Sequence, residues 1–160
     1  MRKWLEEIAL LALGLNTAVT VLALFGSGEL PKRIPVHFDA MGHPVTWGSP
    51  AMILALPSVT LIVYLLFTVV TSFPGAFNYP VRVTSLNRQR LQKLALDLMA
   101  WLKAEIVTLL TWTQWVTIQV ARNPERRMPG MTTVALVVVF ATVTSYMVLM
   151  FKAGREPFRS

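Results

Sequence analysis

The only two histidines of the chain lie close together, with an aspartate between them. His37, Asp39 and His43 supply imidazole and carboxylate groups, which are zinc ligands, and strand-like alternation would place His37 and Asp39 on one side of the backbone. Three such ligands with an open fourth position would form a catalytic zinc site. Neither an HExxH spacing nor a second carboxylate cluster accompanies them. We therefore interpret them as parts of a turn scaffold or a partner-contacting surface, with zinc binding as the alternative.

A second group of residues with chemical potential is predicted on one face of a helix. At 100° per residue, several polar and aromatic residues fall within an arc of about 80°: Asp97, Trp101, Glu105, Thr108, Trp112, Trp115 and Gln119. Ionisable groups inside a membrane usually face the interior of a helix bundle and are functional candidates. Glu105 is the sharpest of these, because it could bind a cation, relay a proton or pair with a partner.

The blander interpretation of this polar stripe is structural. Glu105 would then extend to the membrane interface, and Lys103 would do the same on the opposite face of the helix. The tryptophans are most simply packing residues or members of an interfacial aromatic belt.

Sequence signatures of an enzyme are missing. The serines have neither a GxSxG nor an S-x-x-K context, and the chain has no glycine-rich phosphate loop. The chain also has no cysteine, which excludes disulfides, thiolate metal sites and thiol redox chemistry. The sequence therefore predicts a protein without enzymatic activity or cofactor, and a zinc enzyme at His37 is only the third hypothesis.

The histidines belong to a segment with unusual backbone restriction. Residues 30–49 contain three of the ten prolines and two of the eight glycines. Proline fixes φ and glycine permits positive φ, so this density indicates a defined turn structure. We predict a compact outer loop over residues 26–50, whose partner-binding residues are His37, Phe38, Asp39, His43 and Trp47.

The composition is typical of a membrane protein. Hydrophobic residues make up 54% of the chain and charged residues 14%, against about 25% charged in soluble domains. Three stretches without Asp, Glu, Lys or Arg reach the ~20 residues that a spanning helix needs: 8–27, 40–81 and 128–151. A fourth candidate contains Lys103 and Glu105. We predict an all-α, polytopic protein with four transmembrane helices and a compact extracytoplasmic loop between the first two.

The predicted segments form one membrane domain over residues 1–160. Its parts are a first span at about 4–25, the outer loop 26–50, a second span 51–72, an inner connection with an interfacial helix 73–97, a third span 98–121 and a fourth span 131–151. A helix start at Thr84-Ser85 is predicted, and a break near Ala95 is left open. Pro57 should kink the second helix, and Asn16, Thr17 and Thr20 should face other helices.

The net charge of +7 is distributed unevenly between the two sides of the predicted membrane domain. One side receives Arg2, Lys3, Arg82, Arg88, Arg90, Lys93, Lys152, Arg155 and Arg159. The other side receives Lys32, Arg33, Arg122, Arg126 and Arg127. Because basic residues favour the cytoplasmic side, both termini and the middle connection are predicted there. The basicity is therefore a topology signal, and a nucleic-acid partner is not predicted.

The loop resembles a signature of known bacterial membrane proteins. The loop is similar, without gaps, to the extracytoplasmic signature of proteins like the Sdp-type (SdpI-like) immunity protein. The matching residues are Leu30-Pro31-x2-Ile34-Pro35-x-His37-Phe38-Asp39-x2-Gly42-x-Pro44-x2-Trp47-Gly48-Ser49. Further along, Asn78-Tyr79-Pro80-Val81 and Asn87-Arg88-x-Arg90-Leu91 resemble the connection to the third helix in short stand-alone members. The resemblance covers roughly residues 5–120 and lies in a domain of unknown function flanked by transmembrane helices.

This resemblance implies a location in the bacterial cytoplasmic (inner) membrane and suggests a role. Characterised relatives protect a cell against a secreted toxin and sequester a repressor at the membrane. They carry an additional C-terminal helical domain, of which this sequence shows no recognisable counterpart. Immunity or signalling is thus implied by family analogy.

The leading functional prediction is a non-enzymatic integral membrane protein that binds a peptide or protein partner through its outer loop. That partner would be secreted or lie in the membrane, membrane lipids would surround the helices, and the basic inner connection would contact a cytoplasmic partner. The alternative is a small accessory subunit of a larger transporter or membrane-enzyme complex, docked through the polar stripe.

Overall fold

A computed structural model describes residues 2–26, 31–39, 41–127 and 130–155. Its elements are, in chain order, α1 (Arg2–Phe25), β1 (Ile34–Phe38), β2 (Pro44–Gly48), α2 (Ala55–Thr71), α3 (Arg88–Arg122) and α4 (Met131–Arg155). Short 3-10 turns cover Pro50–Leu54 and Pro74–Ala76. The chain is mostly helical, as the sequence predicted.

The helix α3 lies at the centre of the molecule, and α1, α2 and α4 each pack against it. Its 35 residues rise about 52 Å, which exceeds the thickness of a hydrocarbon core. The helix runs without interruption through Ala95, so the predicted interfacial segment and the predicted third span form one rod.

This helix begins slightly later than predicted. Asn87 is the N-cap residue, not Thr84-Ser85. The backbone amide of Thr84 donates to Oδ1 of Asn87 over 2.8 Å, and the amide of Arg88 donates to the carbonyl of Thr84 over 3.1 Å. Thr84 therefore belongs to the turn that leads into the helix.

Three helices are long and apolar enough to cross a membrane: Arg2–Phe25, Pro50–Thr71 and Thr132–Arg155. Their outer faces are exposed, with Leu11 68% accessible, Ile62 63% and Phe140 71%. Large contiguous apolar surfaces of this kind are unstable in water and are matched by lipid. By length and composition, these three helices therefore indicate a membrane protein, as the composition predicted.

Close approach between α1 and α3 depends on small residues. The buried positions of α1 include Ala9, Ala12 and Ala23, which allow the backbones to come near each other. The approach is close enough for the Thr111 hydroxyl to donate to the carbonyl oxygen of Ala12 over 2.9 Å. The small side chains of α1 thus let α3 come close enough to form a hydrogen bond with the α1 backbone.

The segment after α1 contains an antiparallel hairpin, which the all-α prediction did not include. Strands β1 and β2 pair with Ile34 opposite Gly48 and His37 opposite Thr46, and the register shifts on either side of His37. At the turn Gly42 has φ of 81°, a conformation that favours glycine. Buried Ile34 anchors the hairpin near α3, whereas Leu30 of the resemblance lies outside the described residues.

The opposite end of the bundle is closed by the connection between α2 and α3. Tyr79 and Val81 of this connection pack against a core formed by α3 and α4. A Cβ added to Gly154 would lie 2.7 Å from the Val81 side chain, so the connection requires glycine at this contact. The connection and the end of α4 therefore lie at the same end of the molecule, and the contact of Arg2 with Asp97 places the start of α1 there as well.

Pro57 lies nearer the start of α2 than predicted. The α-helix begins at Ala55, so Pro57 lies in its first turn and not in its interior. A residue in the first turn has no intrahelical partner for its amide, so proline is accommodated there. The departure from α-helical geometry precedes it, in the 3-10 turn Pro50–Leu54.

Candidate functional sites along the central helix and in the hairpin

Hydrogen bonds between buried amide and hydroxyl side chains join α1, α2 and α3 deep inside the bundle. The Asn16 amide donates to the Thr60 hydroxyl over 3.1 Å. The Gln114 amide donates to the Thr20 hydroxyl over 2.9 Å and to the carbonyl of Ile53 over 3.0 Å. The predicted inward orientation of Asn16 and Thr20 is confirmed, while Thr17 is exposed. Gln114 was missed because it lies off the predicted stripe.

A second polar site joins the same three helices around Lys103. Its ammonium group donates to both carboxylate oxygens of Glu6, over 2.7 and 2.9 Å, and to the Thr68 hydroxyl over 2.7 Å. The Tyr64 hydroxyl donates to the same carboxylate over 2.5 Å, and the ammonium lies 3.8 Å from the centre of the Tyr64 ring. All three ammonium protons are thus satisfied, in a side chain only 5% exposed.

Lys103 does not extend away from the bundle but is buried against α1 and α2. A buried ammonium is costly unless it is paired and hydrogen-bonded, and Glu6 provides the paired charge from α1. The sequence contained one signal for this pair: opposite charges at similar depths within two predicted helices. Whether they touch depends on how α1 and α3 are rotated relative to each other, and the spacing of residues along one helix does not determine that rotation.

The two ends of the predicted stripe on α3 form separate ion or hydrogen-bond contacts. Oδ1 of Asp97 lies 3.4 Å from Nε of Arg2, close to the start of α1. At the other end, Arg126 donates to Oε1 of Gln119 over 3.2 Å. Asp97 and Gln119 therefore bind neighbouring basic side chains and are separate from the middle of the stripe.

The middle of the stripe lines a cleft between α1, α3 and α4. This cleft has a volume of about 410 Å³ and is bounded by Trp4, Leu5, Ile8, Trp101, Ala104, Glu105, Thr108, Leu109, Trp112, Ala135 and Val138. Three of these lining residues are tryptophans, and Glu105 is the only charged one. The structure therefore brings Trp101, Glu105 and Trp112 together, as the periodicity predicted.

The polar groups in this cleft are incompletely satisfied. Oε1 of Glu105 accepts a hydrogen bond from the Thr142 hydroxyl over 2.7 Å. Its other oxygen, Oε2, and the indole Nε1 of Trp112 are buried and have no hydrogen-bond partner among the described residues. Glu105 consequently points towards Thr142 of α4, and one of its carboxylate oxygens is left without a partner.

Aromatic contacts hold the walls of the cleft. The rings of Trp4 and Trp101 meet edge to face with 5.3 Å between their centres, which links α1 to α3. The rings of Trp112 and Trp115 lie 5.1 Å apart along α3, and Trp115 is 40% exposed. Trp115 therefore supports Trp112 from outside the cleft.

The hairpin residues form a tight turn around one carboxylate. Oδ1 of Asp39 accepts the backbone amides of Met41 and His43 over 2.9 and 2.8 Å, and Oδ2 lies 3.2 Å from Nδ1 of His43. The amide of His43, with these further bonds, lowers the pKa of the Asp39 carboxyl below its ordinary value. Asp39 and His43 thus fix the shape of the turn.

The remaining loop residues singled out by sequence are placed differently. His37 is exposed on β1 opposite Thr46, and Phe38 and Trp47 are half-buried within the hairpin. Across the described ranges, no three His, Asp or Glu side chains are grouped so that they could hold one metal ion. The structure therefore joins His43 to Asp39 but does not bring His37 into that pair.

Comparison with protein families gives one match. A family model described as "Domain of unknown function (DUF1648)" matches residues 12–61, which include most of α1, the hairpin and the beginning of α2. This family model is found in SdpI-like membrane proteins, so the resemblance is supported at that level. Comparison with the curated proteins and with the solved structures gives no match.

Proposed function

We propose that the chain crosses the bacterial cytoplasmic membrane four times, with α3 as the span enclosed by the other three. The charges on α3 are compatible with this position because neighbouring helices bind them: Lys103 pairs with Glu6, and Glu105 accepts from Thr142. Ionisable residues in membrane proteins face the bundle interior for the same reason. Packing against all three apolar helices is the observation that supports this fourth span.

The distribution of basic residues supports an orientation for this bundle. The start of α1, the connection 72–87, the first turns of α3 and the end of α4 lie at one end of the bundle. These segments carry Arg2, Lys3, Arg82, Arg88, Arg90, Lys93, Lys152 and Arg155, and Arg159 lies outside the described residues. The hairpin and the turn after α3 lie at the other end, with fewer basic residues. By the positive-inside rule the first end is cytoplasmic and the hairpin is extracytoplasmic.

On this topology the protein is a non-enzymatic binding protein, and its hairpin is the surface for a peptide or protein partner. The observation that carries this proposal is a shaped hairpin with apolar side chains on its surface. Val36 is 39% exposed, Met41 77% and Val45 61%. Exposed apolar side chains on a fixed scaffold are typical of recognition surfaces.

The roles of the individual loop residues follow from their contacts. His37 is exposed on β1 opposite Thr46, so it is available to a partner. The Asp39 carboxylate is occupied by the turn, and with His43 it positions the surface. Protection against a secreted toxin is the specific role that the SdpI-like resemblance implies, and we propose it by that analogy.

A photo-crosslinking experiment in living cells tests the hairpin proposal. A photoreactive amino acid replaces Val45 in one variant and Phe140 in a matched variant, since Phe140 is equally apolar and 71% exposed but lies on α4. The proposal predicts a discrete protein or peptide adduct from position 45 that is absent from position 140. Adding Asp39→Ala, which removes the turn's acceptor, should abolish this adduct.

Adducts with lipid alone at position 45, or the same protein adduct from both positions, would contradict the hairpin as a recognition surface. An adduct that forms only at position 140, with a protein that co-purifies in a fixed ratio, would instead identify the chain as an accessory subunit. Purification in a mild detergent with identification of co-eluting chains provides that ratio.

A further inference from the structure

The cleft between α1, α3 and α4 combines three features that hairpin binding does not use. It is large enough for a small molecule, because its volume of about 410 Å³ falls within the range of about 300–1,000 Å³ seen for such sites. Its walls are almost entirely apolar, and its single charged group is the carboxylate of Glu105. We propose that this cleft binds a lipophilic organic cation.

The charge of the ligand follows from Glu105. Oε1 already accepts from Thr142, but buried Oε2 has no hydrogen-bond partner in the part of the chain that the structure describes. A buried carboxylate is costly unless an opposite charge or hydrogen bonds compensate it. The described lining residues of the cleft include no basic side chain, so a cationic ligand would supply the charge that the carboxylate lacks.

The tryptophans also favour a cation. Indole faces attract cations, and Trp is the most effective aromatic residue in this interaction. Trp4, Trp101 and Trp112 come from two different helices and line the same cleft as the Glu105 carboxylate. The edge-to-face contact of Trp4 with Trp101 fixes one wall before any ligand arrives. The site is therefore preorganised, which reduces the cost of binding.

The lipophilic character of the ligand follows from the residues at the exposed edge of the cleft. Ile8 and Val138 line the cleft and are 39% and 48% exposed on the outer surfaces of α1 and α4. These surfaces face hydrocarbon in a membrane, so the ligand reaches the cleft from the lipid phase. A small hydrated ion would lose its water there without enough oxygen ligands, whereas an organic cation with an apolar body matches both the walls and this edge.

The direct test uses tetraphenylphosphonium as the probe, with the full chain in lipid nanodiscs. Its same-shaped anion, tetraphenylborate, serves as the ligand control, and empty nanodiscs correct for partition into lipid. The expected result is saturable binding of the cation at one site per chain. The anion is expected to show no saturable binding.

Two cleft variants separate charge from volume. Glu105→Gln keeps the shape and the Thr142 hydrogen bond but removes the charge, and it should weaken cation binding about tenfold or more. Ala135→Trp fills the cleft and should abolish binding. Glu7→Gln removes the same charge at an exposed position of α1 outside the cleft and should leave affinity unchanged.

Several results would overturn the proposal. These are no saturable binding by the wild-type chain, equal saturable binding of the anion, or unchanged affinity in Glu105→Gln. Unchanged thermal unfolding of each variant in detergent is the check that the bundle is intact. If Ala135→Trp unfolds, Ala104→Leu fills the same cleft from α3 and replaces it.

Discussion

The carboxylates of Glu6 and Glu105 differ in how completely they are hydrogen-bonded. Glu6 binds the ammonium of Lys103 with both oxygens and also accepts from Tyr64. Glu105 accepts only from Thr142, and its second oxygen lies buried without a partner among the described residues. Both oxygens of the Glu6 carboxylate are hydrogen-bonded, and we call Glu6, Lys103, Tyr64 and Thr68 the closed site. One oxygen of Glu105 has no partner, and we call Glu105 and the cleft beside it the open site.

The difference shows how a polar helix can serve two purposes at once. On one face of α3, hydrogen bonds and an ion pair join three helices and fix their rotation. On the other face, α4 stands away from α1, and the space between them is lined by tryptophans around Glu105. The closed site is therefore expected to control stability, and the open site is expected to control binding.

The largest expected effect is the loss of the ion pair at the closed site. Lys103→Met leaves the Glu6 carboxylate without its cation. The Lys103 side chain is 5% exposed and the Glu6 side chain 44%, so the loss should fall between the values for an exposed and a buried pair. We expect the free energy of unfolding to fall by about 2 kcal/mol, measured by denaturation in mixed micelles. Lys93→Met removes the same charge from an exposed position on α3 and is the matched control.

The double variant Glu6→Gln with Lys103→Met sharpens this prediction. Removing both charges should recover part of the stability lost in Lys103→Met, because no unpaired charge is left in the bundle. Additive losses from the two single substitutions would mean that the pair does not act as a unit.

A smaller effect is expected for the uncharged polar site. Gln114→Leu removes the hydrogen bonds to Thr20 and to the carbonyl of Ile53. Hydrogen bonds between membrane helices contribute about 0.6 kcal/mol on average and at most about 1.7. We therefore expect a loss of about 1 kcal/mol in the same unfolding measurement. Thr113→Val, which removes a bond only within α3, should change stability less.

The hairpin turn should depend on pH through Asp39. The folded hairpin lowers the pKa of this carboxyl. The carboxylate therefore stabilises the turn fully above its ordinary pKa of about 3.9, and the contribution is lost as the pH falls through the lower value. The amide proton resonances of Met41 and His43 should report this acid transition by NMR.

Asp39→Asn is the control for the acid transition. Its side-chain oxygen still accepts both amides but does not titrate, so the low-pH change in these resonances should disappear. If the transition persists in Asp39→Asn, a group other than Asp39 causes it.

No loss of stability is expected at the open site. Glu105→Gln retains an acceptor for Thr142 and removes an unpartnered buried charge, so the free energy of unfolding should stay the same or increase. The same measurement as for Lys103→Met provides a direct contrast. A loss comparable to that of Lys103→Met would show that Glu105 is also a structural residue.

The sequence predicted the apolar helices well because their signal is local. Uncharged stretches of sufficient length correspond to α1, α2 and α4, and the helical period correctly grouped Trp101, Glu105 and Trp112. Such features depend only on composition and on spacing along one helix. The membrane character and the grouping of these three α3 residues on one face were therefore accessible before the structure, whereas the cleft itself was not.

The features that were missed depend on contacts between distant segments. Lys103 meets Glu6 from 97 positions away, and Gln114 meets Thr20 from 94. The two five-residue strands of the hairpin each contain a proline, which weakens any strand signal, and their pairing is fixed by the turn at Asp39. Helix rotation and hairpin register arise from packing, which a single sequence does not specify.

The measurement that tests the account most directly is the side of the membrane on which α3 ends. The chain has no cysteine, so single substitutions provide clean reporters. Leu86→Cys precedes α3 and Glu125→Cys follows it, and both positions are exposed. In intact bacteria, a membrane-impermeant maleimide should label Glu125→Cys at once and Leu86→Cys only after the membrane is opened. Labelling of both positions from the same side would contradict a transmembrane α3 and the enclosed polar sites built on it.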